Sequence, residues 1–219
     1  MFVFKELALS CDVRDLGLIE FDTAYAFQQQ CVSGLLKAHN PTIFLCEHPA
    51  VITLGRLADE SNILVDYKEL GRKGVSVKKI DRGGDITLHC PGQLVVYPII
   101  DLSEYGKDLH SYLHQLEDVA INVLSDFCIR GQRSDKNTGV WVKQRKIVSI
   151  GIGVKKWITY HGMAINVNTD LNLFSLIRPC GLDVIMTSMA DIKGISVNLD
   201  RVKERVIYHL SEQFSLRIR

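Results

Sequence analysis

The 219-residue sequence has no long apolar run, no marked excess of charge and no pair of closely spaced cysteines. A transmembrane helix needs about 20 consecutive apolar residues, so this composition predicts a chain that does not enter a membrane. The N-terminus also lacks the basic start and long apolar stretch of a secretory signal, and we expect a cytoplasmic protein. Because the net charge is only +1, composition indicates no nucleic acid partner.

The six cysteines are scattered, and none belongs to a Cys-x-x-Cys pair. That spacing argues against a zinc ribbon and against a small disulfide-linked scaffold. The sequence also lacks the His-Glu-x-x-His zinc motif, the GxxxxGK[ST] phosphate loop and a GxGxxG motif after a predicted strand. We therefore predict that the protein uses no metal.

Apolar periodicity predicts three long helices, over residues 22–38, 108–127 and 199–214, with Asp22 as the N-cap of the first. Residues 170–177 are expected to form a short helix, and residues 59–73 a polar surface connection. Strands are predicted at residues 42–46, 51–54, 75–79, 94–100, 139–142, 146–154 and 157–168, with hairpin tips at Gln144-Arg145 and Lys155-Lys156. Because strands and helices are mixed without a βαβ repeat, we predict an α+β fold. Its sheets are expected to be mixed and largely antiparallel, flanked by helices, in one domain over residues 1–219.

A glycine-rich stretch between two predicted strands is the first candidate for a binding site. It reads Arg82-Gly83-Gly84-Asp85-Ile86-Thr87-Leu88-His89-Cys90-Pro91-Gly92-Gln93. Adjacent glycines let the backbone approach a ligand closely, and Pro91-Gly92 makes a rigid turn directly after the histidine and cysteine. We call this stretch the cradle loop and predict that it holds substrate. An ordinary strand-turn-strand connection is the alternative.

Cys180 is the first candidate for a nucleophile, because it lies in a turn between Pro179 and Gly181 where a side chain is presented rather than packed. An ordinary cysteine has a pKa of about 8.5, so a nucleophilic one needs a nearby cation or dipole. Lys146, at the mouth of an apolar run, is a candidate for that cation. The alternatives are a structural cysteine and a solvated lysine beside Lys143 and Arg145.

Two histidines are candidate general bases. His89 closes the apolar part of the cradle loop, and His161 precedes Gly162 in a predicted strand, where a substrate could pass close to the backbone. For both residues the alternative is a histidine that only forms hydrogen bonds with the main chain.

Seven ordered motifs together resemble the octanoyltransferases of lipoate biosynthesis. The motifs are Asp15-Leu16-Gly17, Glu47-His48-Pro49, the cradle loop, Gly139-Val140-Trp141-Val142, the segment from Lys146 to Gly151, the segment from His161 to Asn168, and Pro179-Cys180-Gly181. The resemblance implies the catalytic-domain fold of biotin and lipoate protein ligases. It also implies transfer of an octanoyl group through a thioester on Cys180, the first step of endogenous lipoate synthesis. Lys146 would lower the pKa of Cys180 and act as general acid and base.

The resemblance further implies a donor, acceptors and a set of substrate-binding residues. The donor is octanoyl-acyl carrier protein, and the acceptors are lipoyl domains of 2-oxoacid dehydrogenase complexes and the glycine cleavage H protein. We separately expect a monomer that uses no cofactor. The substrate-binding residues would be Arg82, Gly83, Gly84, Asp85, Ile86, Thr87, Leu88, His89, Ser149, Ile150, Gly151, Gly162, Met163 and Ala164.

Two residues of the cradle loop depart from the family pattern. Asp85 stands where the family commonly has glutamine or a similar uncharged residue, and Cys90 stands where the pattern is usually His-Gly-Pro-Gly. An inward-facing Asp85 would disturb substrate contacts, whereas an outward-facing one would only meet water. Cys90 is an inert small residue, an oxidation liability or a rival nucleophile.

The segment from residue 130 to residue 156 is strongly basic and is a candidate docking face for acidic carrier proteins and lipoyl domains. Its charges are Arg130, Arg133, Lys136, Lys143, Arg145, Lys146, Lys155 and Lys156, opposed by Asp135. The alternative is a set of solvated hairpin tips.

Two other functions fit the same fold. The first is an ATP-dependent lipoate or biotin protein ligase, which the acidic Asp85 disfavours because a carboxylate repels a phosphate. The second is a non-catalytic module that binds lipoyl domains or acyl carriers. The presence of both Cys180 and Lys146 argues against it.

Overall fold

The structure, a computed structural model, describes residues 9–36, 40–135, 137–179 and 184–219. Cys180, the predicted nucleophile, lies outside the described residues. The strands in the described ranges are β1 (Leu9–Leu18), β2 (Thr42–Glu47), β3 (Val51–Leu54), β4 (Ser76–Lys79), β5 (Ile86–His89), β6 (Gln93–Ile99), β7 (Val140–Val142), β8 (Arg145–Lys155), β9 (Ile158–Asn166) and β10 (Leu216–Ile218). The α-helices there are α1 (Phe21–Leu35), α2 (Tyr67–Arg72), α3 (Leu109–Asp126), α4 (Met189–Lys193) and α5 (Leu199–Gln213).

The strands form a large sheet of order β10-β1-β2-β6-β9-β8-β7 and a small sheet of order β4-β3-β5. Strand β1 pairs in parallel with both β10 and β2, whereas the remaining pairs of the large sheet are antiparallel. In the small sheet β3 runs parallel to β4 and antiparallel to β5. The predicted α+β fold with mixed, largely antiparallel sheets flanked by helices is therefore confirmed.

Apolar side chains that alternate along the central strands cover both faces of the large sheet. On β2, Ile43 and Leu45 belong to a core shared with α3 and α5, while Phe44 and Cys46 belong to a second core shared with α1. Successive side chains of a strand point to opposite faces, so one buried strand serves two cores. A third core lies under the small sheet and includes Leu70 of α2.

The buried positions of the last helix, α5, are predicted well, whereas those of the first helix, α1, are shifted from the prediction. Val202, Val206, Leu210 and Phe214 are all buried, as their four-residue spacing predicts. The prediction of Asp22 as N-cap is wrong, because Glu20 occupies that position without a side-chain cap. On α1 the buried stripe includes the polar residue Gln28, which is fully buried and whose Oε1 accepts a hydrogen bond from the backbone N–H of His161 at 2.7 Å.

Several elements differ from the prediction. The predicted surface connection over residues 59–73 contains a 3₁₀ turn, Glu60–Asn62, and helix α2, each capped by the side chain of an aspartate, Asp59 and Asp66 respectively. The cradle loop contains strand β5. The two hairpin tips lie one residue from the predicted positions, because Lys143, Lys156 and Trp157 adopt the positive φ angles that tight hairpin turns require. No helix in the described part of the chain is long and apolar enough to span a membrane.

Candidate active site

A pocket lies between the two sheets, where the cradle loop faces strands β6, β8 and β9. The empty space in it, including the part that is open to solvent, is about 540 Å³. Phe21 of α1 and Tyr97 of β6 line the side of the pocket that faces α1. The residues that line it are Phe21, Ile80, Arg82, Gly84, Asp85, Ile86, Thr87, His89, Val95, Tyr97, Lys146, Ser149, Ile150, Gly151, His161, Gly162, Met163 and Ala164.

Two predicted binding segments far apart in sequence are brought together by strand pairing. Ser149 pairs with Ala164, Ile150 with Met163, and Gly151 with Gly162 across β8 and β9. All six line the pocket, together with most of the predicted cradle residues. The antiparallel register therefore makes one wall from these segments.

Two predicted cradle residues lie behind the pocket surface rather than on it. Leu88 is fully buried in the core of the small sheet, since it alternates with Thr87 and His89 along β5. The backbone N–H of Gly83 donates a hydrogen bond of 2.8 Å to the carbonyl of Ile152. That bond attaches the cradle loop directly to β8.

Arg82 is folded against the small sheet and is only 7% exposed. Its Nη2 donates to the carbonyl and hydroxyl oxygens of Thr53 at 2.7 and 3.0 Å, and its Nη1 donates to the carbonyl of Gly83 at 2.9 Å. Gly55 lies against the same loop, where a Cβ atom would be 2.4 Å from the carbonyl oxygen of Gly84. The guanidinium thus braces the cradle while one side of it lines the pocket.

The carboxylate of Asp85 is held by the neighbouring 3₁₀ turn. Its Oδ1 accepts a hydrogen bond from the backbone N–H of Asp59 at 3.1 Å, and its Oδ2 accepts one from the side-chain amide of Asn62 at 2.8 Å. Both alternatives considered from the sequence, an inward-facing charge and a solvated one, miss this arrangement. The carboxylate of Asp85 holds the edge of the pocket in place through these two hydrogen bonds.

Lys146 is buried, with 2% of its surface exposed, so it is not the solvated hairpin lysine that its neighbours suggest. Its backbone N–H donates to the carbonyl of Ile185 and its carbonyl accepts from the N–H of Thr187, both at 2.9 Å. Its Nζ lies 5.5 Å from the centre of the Trp141 ring, a favourable distance for a cation over an aromatic face. The side chain lines the pocket.

The chain on each side of Cys180 is attached close to the pocket. Before it, the N–H of Arg178 donates to the carbonyl of Asn62 at 2.8 Å, and Asn62 also binds Asp85. After it, Ile185 is bonded to Lys146. The described residues Arg178 and Ile185, which precede and follow Cys180, are therefore both bonded to residues at the pocket wall.

His89 is held in one tautomer by a chain of amides. Gln93 donates through its Nε2 to the carbonyl of Leu88 at 3.2 Å and to Oδ1 of Asn166 at 2.9 Å, so its oxygen faces His89 and accepts from Nδ1 at 2.7 Å. Burial lowers the pKa of His89 to about 3. A base this weak is poorly matched to proton transfer near neutral pH, so the geometry favours a neutral hydrogen-bonding role.

His161 occupies a strained position within β9. Its φ is +55°, a region that β-sheet residues other than glycine rarely adopt, and its ring stacks on Tyr25 at 5.4 Å. Its Nε2 lies 3.2 Å from Asp81, which also accepts hydrogen bonds from Tyr160 at 2.7 Å and Tyr25 at 3.1 Å. The bond from His161, followed by those from the two tyrosines, holds the pKa of Asp81 far below its usual value.

Cys90 has the properties of an inert core residue. It is 1% exposed and packs in the core of the small sheet. Burial, followed by the charge of Asp170, raises the pKa of the thiol to about 11. At pH 7 only about one molecule in ten thousand would carry the thiolate.

Ion pairs reduce the charge of the basic segment. Arg133 pairs with Glu117 at 2.9 Å and with Asp118 at 2.5 Å, and Arg145 pairs with Asp191 at 2.6 Å. Lys146 is buried, and Lys136 lies outside the described residues. Lys155 and Lys156 remain exposed at the β8–β9 turn. The docking face thus has fewer available charges than the sequence indicates.

The aromatic part of the pocket wall was missed from the sequence. Phe21 lines the pocket and lies within 6.4 Å of the rings of His48, His89 and His161. The ring of His48 is fully buried, with Nδ1 2.7 Å from the carbonyl of Ile19 and Nε2 2.9 Å from the hydroxyl of Tyr97. The Glu47-His48-Pro49 motif was the available signal for this cluster.

Helix α3 carries two histidines at a spacing that some metal sites use. His110 and His114 are four residues apart, and His114 bonds to Glu117 at 3.1 Å. Among the residues that the structure describes, no group of three or more histidine, cysteine, aspartate or glutamate side chains is arranged to hold a metal ion.

Comparisons with known proteins agree with this architecture. Residues 21–211 match the family model described as the lipoyl protein ligase A/B catalytic domain. The octanoyltransferase of Syntrophotalea carbinolica is 44% identical over 200 residues, which are 90% of this chain and 92% of that protein.

Two solved structures share the fold at low sequence identity. Lipoate-protein ligase A bound with ATP superposes with a TM-score of 0.80 at 15% identity, covering 97% of this chain and 88% of that one. The bipartite lipoate protein ligase of Thermoplasma acidophilum, solved in a study of an archaeal lipoylation system with its E2 lipoyl domain, gives 0.74 at 16% identity, covering 97% and 86%. With a family model over most of its length and a relative at 44% identity, the chain belongs to the octanoyltransferases, a family of acyltransferases built on the lipoyl protein ligase A/B catalytic domain.

Proposed function

We propose that the protein moves an octanoyl group from octanoyl-acyl carrier protein to a lysine of a lipoyl domain through a thioester on Cys180. The observation that carries this proposal is the placement of Lys146. It is buried, it lines the pocket between the two sheets, and it is bonded to the segment that follows Cys180. A buried ammonium beside a thiol favours the thiolate.

The pocket supports a medium-length acyl chain as its ligand. Apolar side chains such as Ile86, Val95, Ile150 and Met163 line it, and Gly151 and Gly162 add backbone surface without side chains. Burying about seven methylene or methyl groups contributes roughly 5 kcal/mol at about 0.8 kcal/mol each. That free energy is large enough to hold a flexible chain during two successive transfers.

In the first step the Cys180 thiolate attacks the carbonyl carbon of the donor thioester. A new carbon–sulfur bond forms, the bond to the carrier sulfur breaks, and the departing thiolate takes a proton from the Lys146 ammonium. The products are the acylated enzyme, the free carrier thiol and a neutral Lys146. Both sulfurs are comparable leaving groups, so the exchange needs no external energy source.

In the second step the amine of the acceptor lysine attacks the same carbonyl carbon. A carbon–nitrogen bond forms, the bond to Cys180 breaks, and neutral Lys146 takes the proton that the amine loses. The thiolate and the ammonium are regenerated. This balance requires neither ATP nor a cofactor.

The decisive experiment is mass spectrometry of the protein after incubation with octanoyl-acyl carrier protein in the absence of ATP. We expect an octanoyl adduct on Cys180 that disappears when a lipoyl domain is added. A Cys180→Ser variant is the control that tests whether Cys180 is the acylated residue. Absence of an adduct, with acyl transfer only when ATP is supplied, would instead identify an ATP-dependent ligase. Binding of either partner without any transfer would identify a non-catalytic module.

A further inference from the structure

A buried carboxylate on α3 holds the backbone that lies against Lys146. Glu117 is only 3% exposed, and its Oε1 accepts a hydrogen bond of 2.9 Å from the backbone N–H of Gly139. Its Oε2 accepts from Nε of Arg133 at 2.9 Å and from Nδ1 of His114 at 3.1 Å. Burying a charge is costly unless it is paired and hydrogen-bonded, and here each carboxylate oxygen has a partner. The carboxylate therefore fixes the position of Gly139.

Gly139 in turn lies directly against the end of the Lys146 side chain. A Cβ atom at position 139 would be 2.7 Å from Cε of Lys146, 3.3 Å from its Nζ and 2.4 Å from the carbonyl oxygen of Val148. The φ angle of Gly139 is +129°, a conformation essentially restricted to glycine. The space that a side chain would occupy at position 139 is filled by the lysine.

We propose that Glu117 and Gly139 are positioning residues that set where the Lys146 ammonium lies in the pocket. Gly139 supplies the surface on which the lysine end rests, and Glu117 prevents that surface from moving. The consequence for catalysis rests on the proposed function, because it assumes that Lys146 is paired with the reacting thiol. A displacement of about 1 Å in a reacting group can lower a rate by about 100-fold.

The first test measures the environment of Lys146 without using the reaction. Trace labelling with acetic anhydride, read by mass spectrometry, gives the reactivity of Lys146 relative to exposed Lys155. In Gly139→Ala we expect the ratio of Lys146 labelling to Lys155 labelling to change by at least about fivefold. A small change in the free energy of the Lys146 side chain is enough to produce a change of that size. The matched control is Gly131→Ala, where a Cβ atom would press on Val140 Cγ1 at 2.8 Å and Leu124 Cδ1 at 3.0 Å instead. Equal ratios in the two variants would overturn the proposal.

The second test covers the case in which Gly139→Ala does not fold. Glu117→Gln keeps an oxygen that accepts from the Gly139 N–H, whereas Glu117→Ala removes it. In Glu117→Ala we expect kcat for octanoyl transfer to fall by about 100-fold, with the KM of the acyl donor little changed because the pocket wall is intact. Glu117→Gln should restore most of that rate. Identical losses in the two variants, or a loss confined to KM, would show a merely structural role.

The two proposals fail in distinguishable ways. A wild-type protein that transfers no octanoyl group would refute the proposed function, and the labelling ratio would still report whether Gly139 positions Lys146. Normal transfer by both Glu117→Ala and Gly139→Ala would refute the positioning role and leave the proposed function standing.

Discussion

The side-chain amide of Asn62 donates a hydrogen bond of 2.8 Å to the carboxylate of Asp85, and so joins the turn after β3 to the edge of the pocket. The carbonyl of the same asparagine accepts the N–H of Arg178 at 2.8 Å. Asn62 is therefore a junction between the cradle loop and the segment that precedes Pro179-Cys180. This relationship explains why an acidic residue is accommodated in a loop proposed to hold an acyl chain.

Asp85→Ala should destabilise the protein. The change removes two acceptors and leaves the Asn62 amide, in a residue only 8% exposed, without its partner. We expect a loss of about 1–3 kcal/mol in the free energy of unfolding, measured by urea denaturation. Glu204→Ala, at an exposed position on α5, is the control and should have little effect. An Asp85→Ala variant as stable as the wild type would contradict a bracing role.

Lys146→Met should strongly reduce octanoyl transfer while keeping the fold. Methionine approximates the buried length of the side chain but can neither stabilise a thiolate nor exchange a proton. Loss of a general acid–base group lowers rates by about 100-fold to 10,000-fold, and single-turnover transfer is the measurement. Lys146→Arg should not rescue activity, because the space beside Gly139 fits the narrow end of a lysine.

The control for this series is Lys68→Met, which removes an exposed lysine from α2, outside the basic segment. Transfer by Lys68→Met should match the wild type. Comparable rates in Lys146→Met and wild-type protein would refute the proposed pair of Lys146 and Cys180.

Cys90→Ala should leave the octanoyl adduct in place. With the pKa of its thiol raised to about 11 by burial, Cys90 is a poor nucleophile at neutral pH. The small loss of packing should cost about 1 kcal/mol of stability, read by thermal denaturation. Mass spectrometry of Cys90→Ala and Cys180→Ser after incubation with the donor separates the two thiols. An adduct that persists in Cys180→Ser and vanishes in Cys90→Ala would identify Cys90 as the acylated residue.

His89 should make the protein sensitive to acid. Burial lowers its folded-state pKa to about 3, whereas the unfolded chain titrates near about 6.5. Below that value the unfolded state binds a proton that the folded state does not. Stability is thus fully present above about pH 6.5 and falls as pH decreases toward 3, by about 1.4 kcal/mol per unit for this group.

The measurement is urea denaturation at pH 7.5 and pH 5.0 for the wild type and for His89→Gln, with His110→Gln at an exposed position as the control. His89→Gln should lose about 2 kcal/mol less than the wild type between these two pH values. An identical loss in the two proteins would mean that His89 is charged in the folded state.

Local patterns in the sequence determined most of the regular elements. The apolar stripe of α5 and the buried strands β2, β3, β6 and β8 were predicted within one or two residues, since each pattern depends on the periodicity of its own segment. The parallel pairing of β1 with β10 joins the two ends of the chain, and no local pattern reports a contact at that sequence separation. Helix α2 was missed because its only buried side chain is Leu70.

The candidate site was likewise predicted in part from the sequence, and the rest of it was decided by the tertiary structure. The ordered motifs, from the cradle loop through Lys146 to Cys180, predict which residues carry its chemistry. Tertiary structure alone decided that the cross-strand register places Ser149, Ile150 and Gly151 beside the segment around Gly162, and that Asp85 is bonded to Asn62. The burial of Lys146 was also beyond the sequence, because its neighbours Lys143 and Arg145 indicate solvent. Burial of Lys146 depends on the strand-like contact with Ile185 and Thr187, which are distant in the chain, and on the packing of the side-chain end against Gly139. A segment does not encode its distant partners.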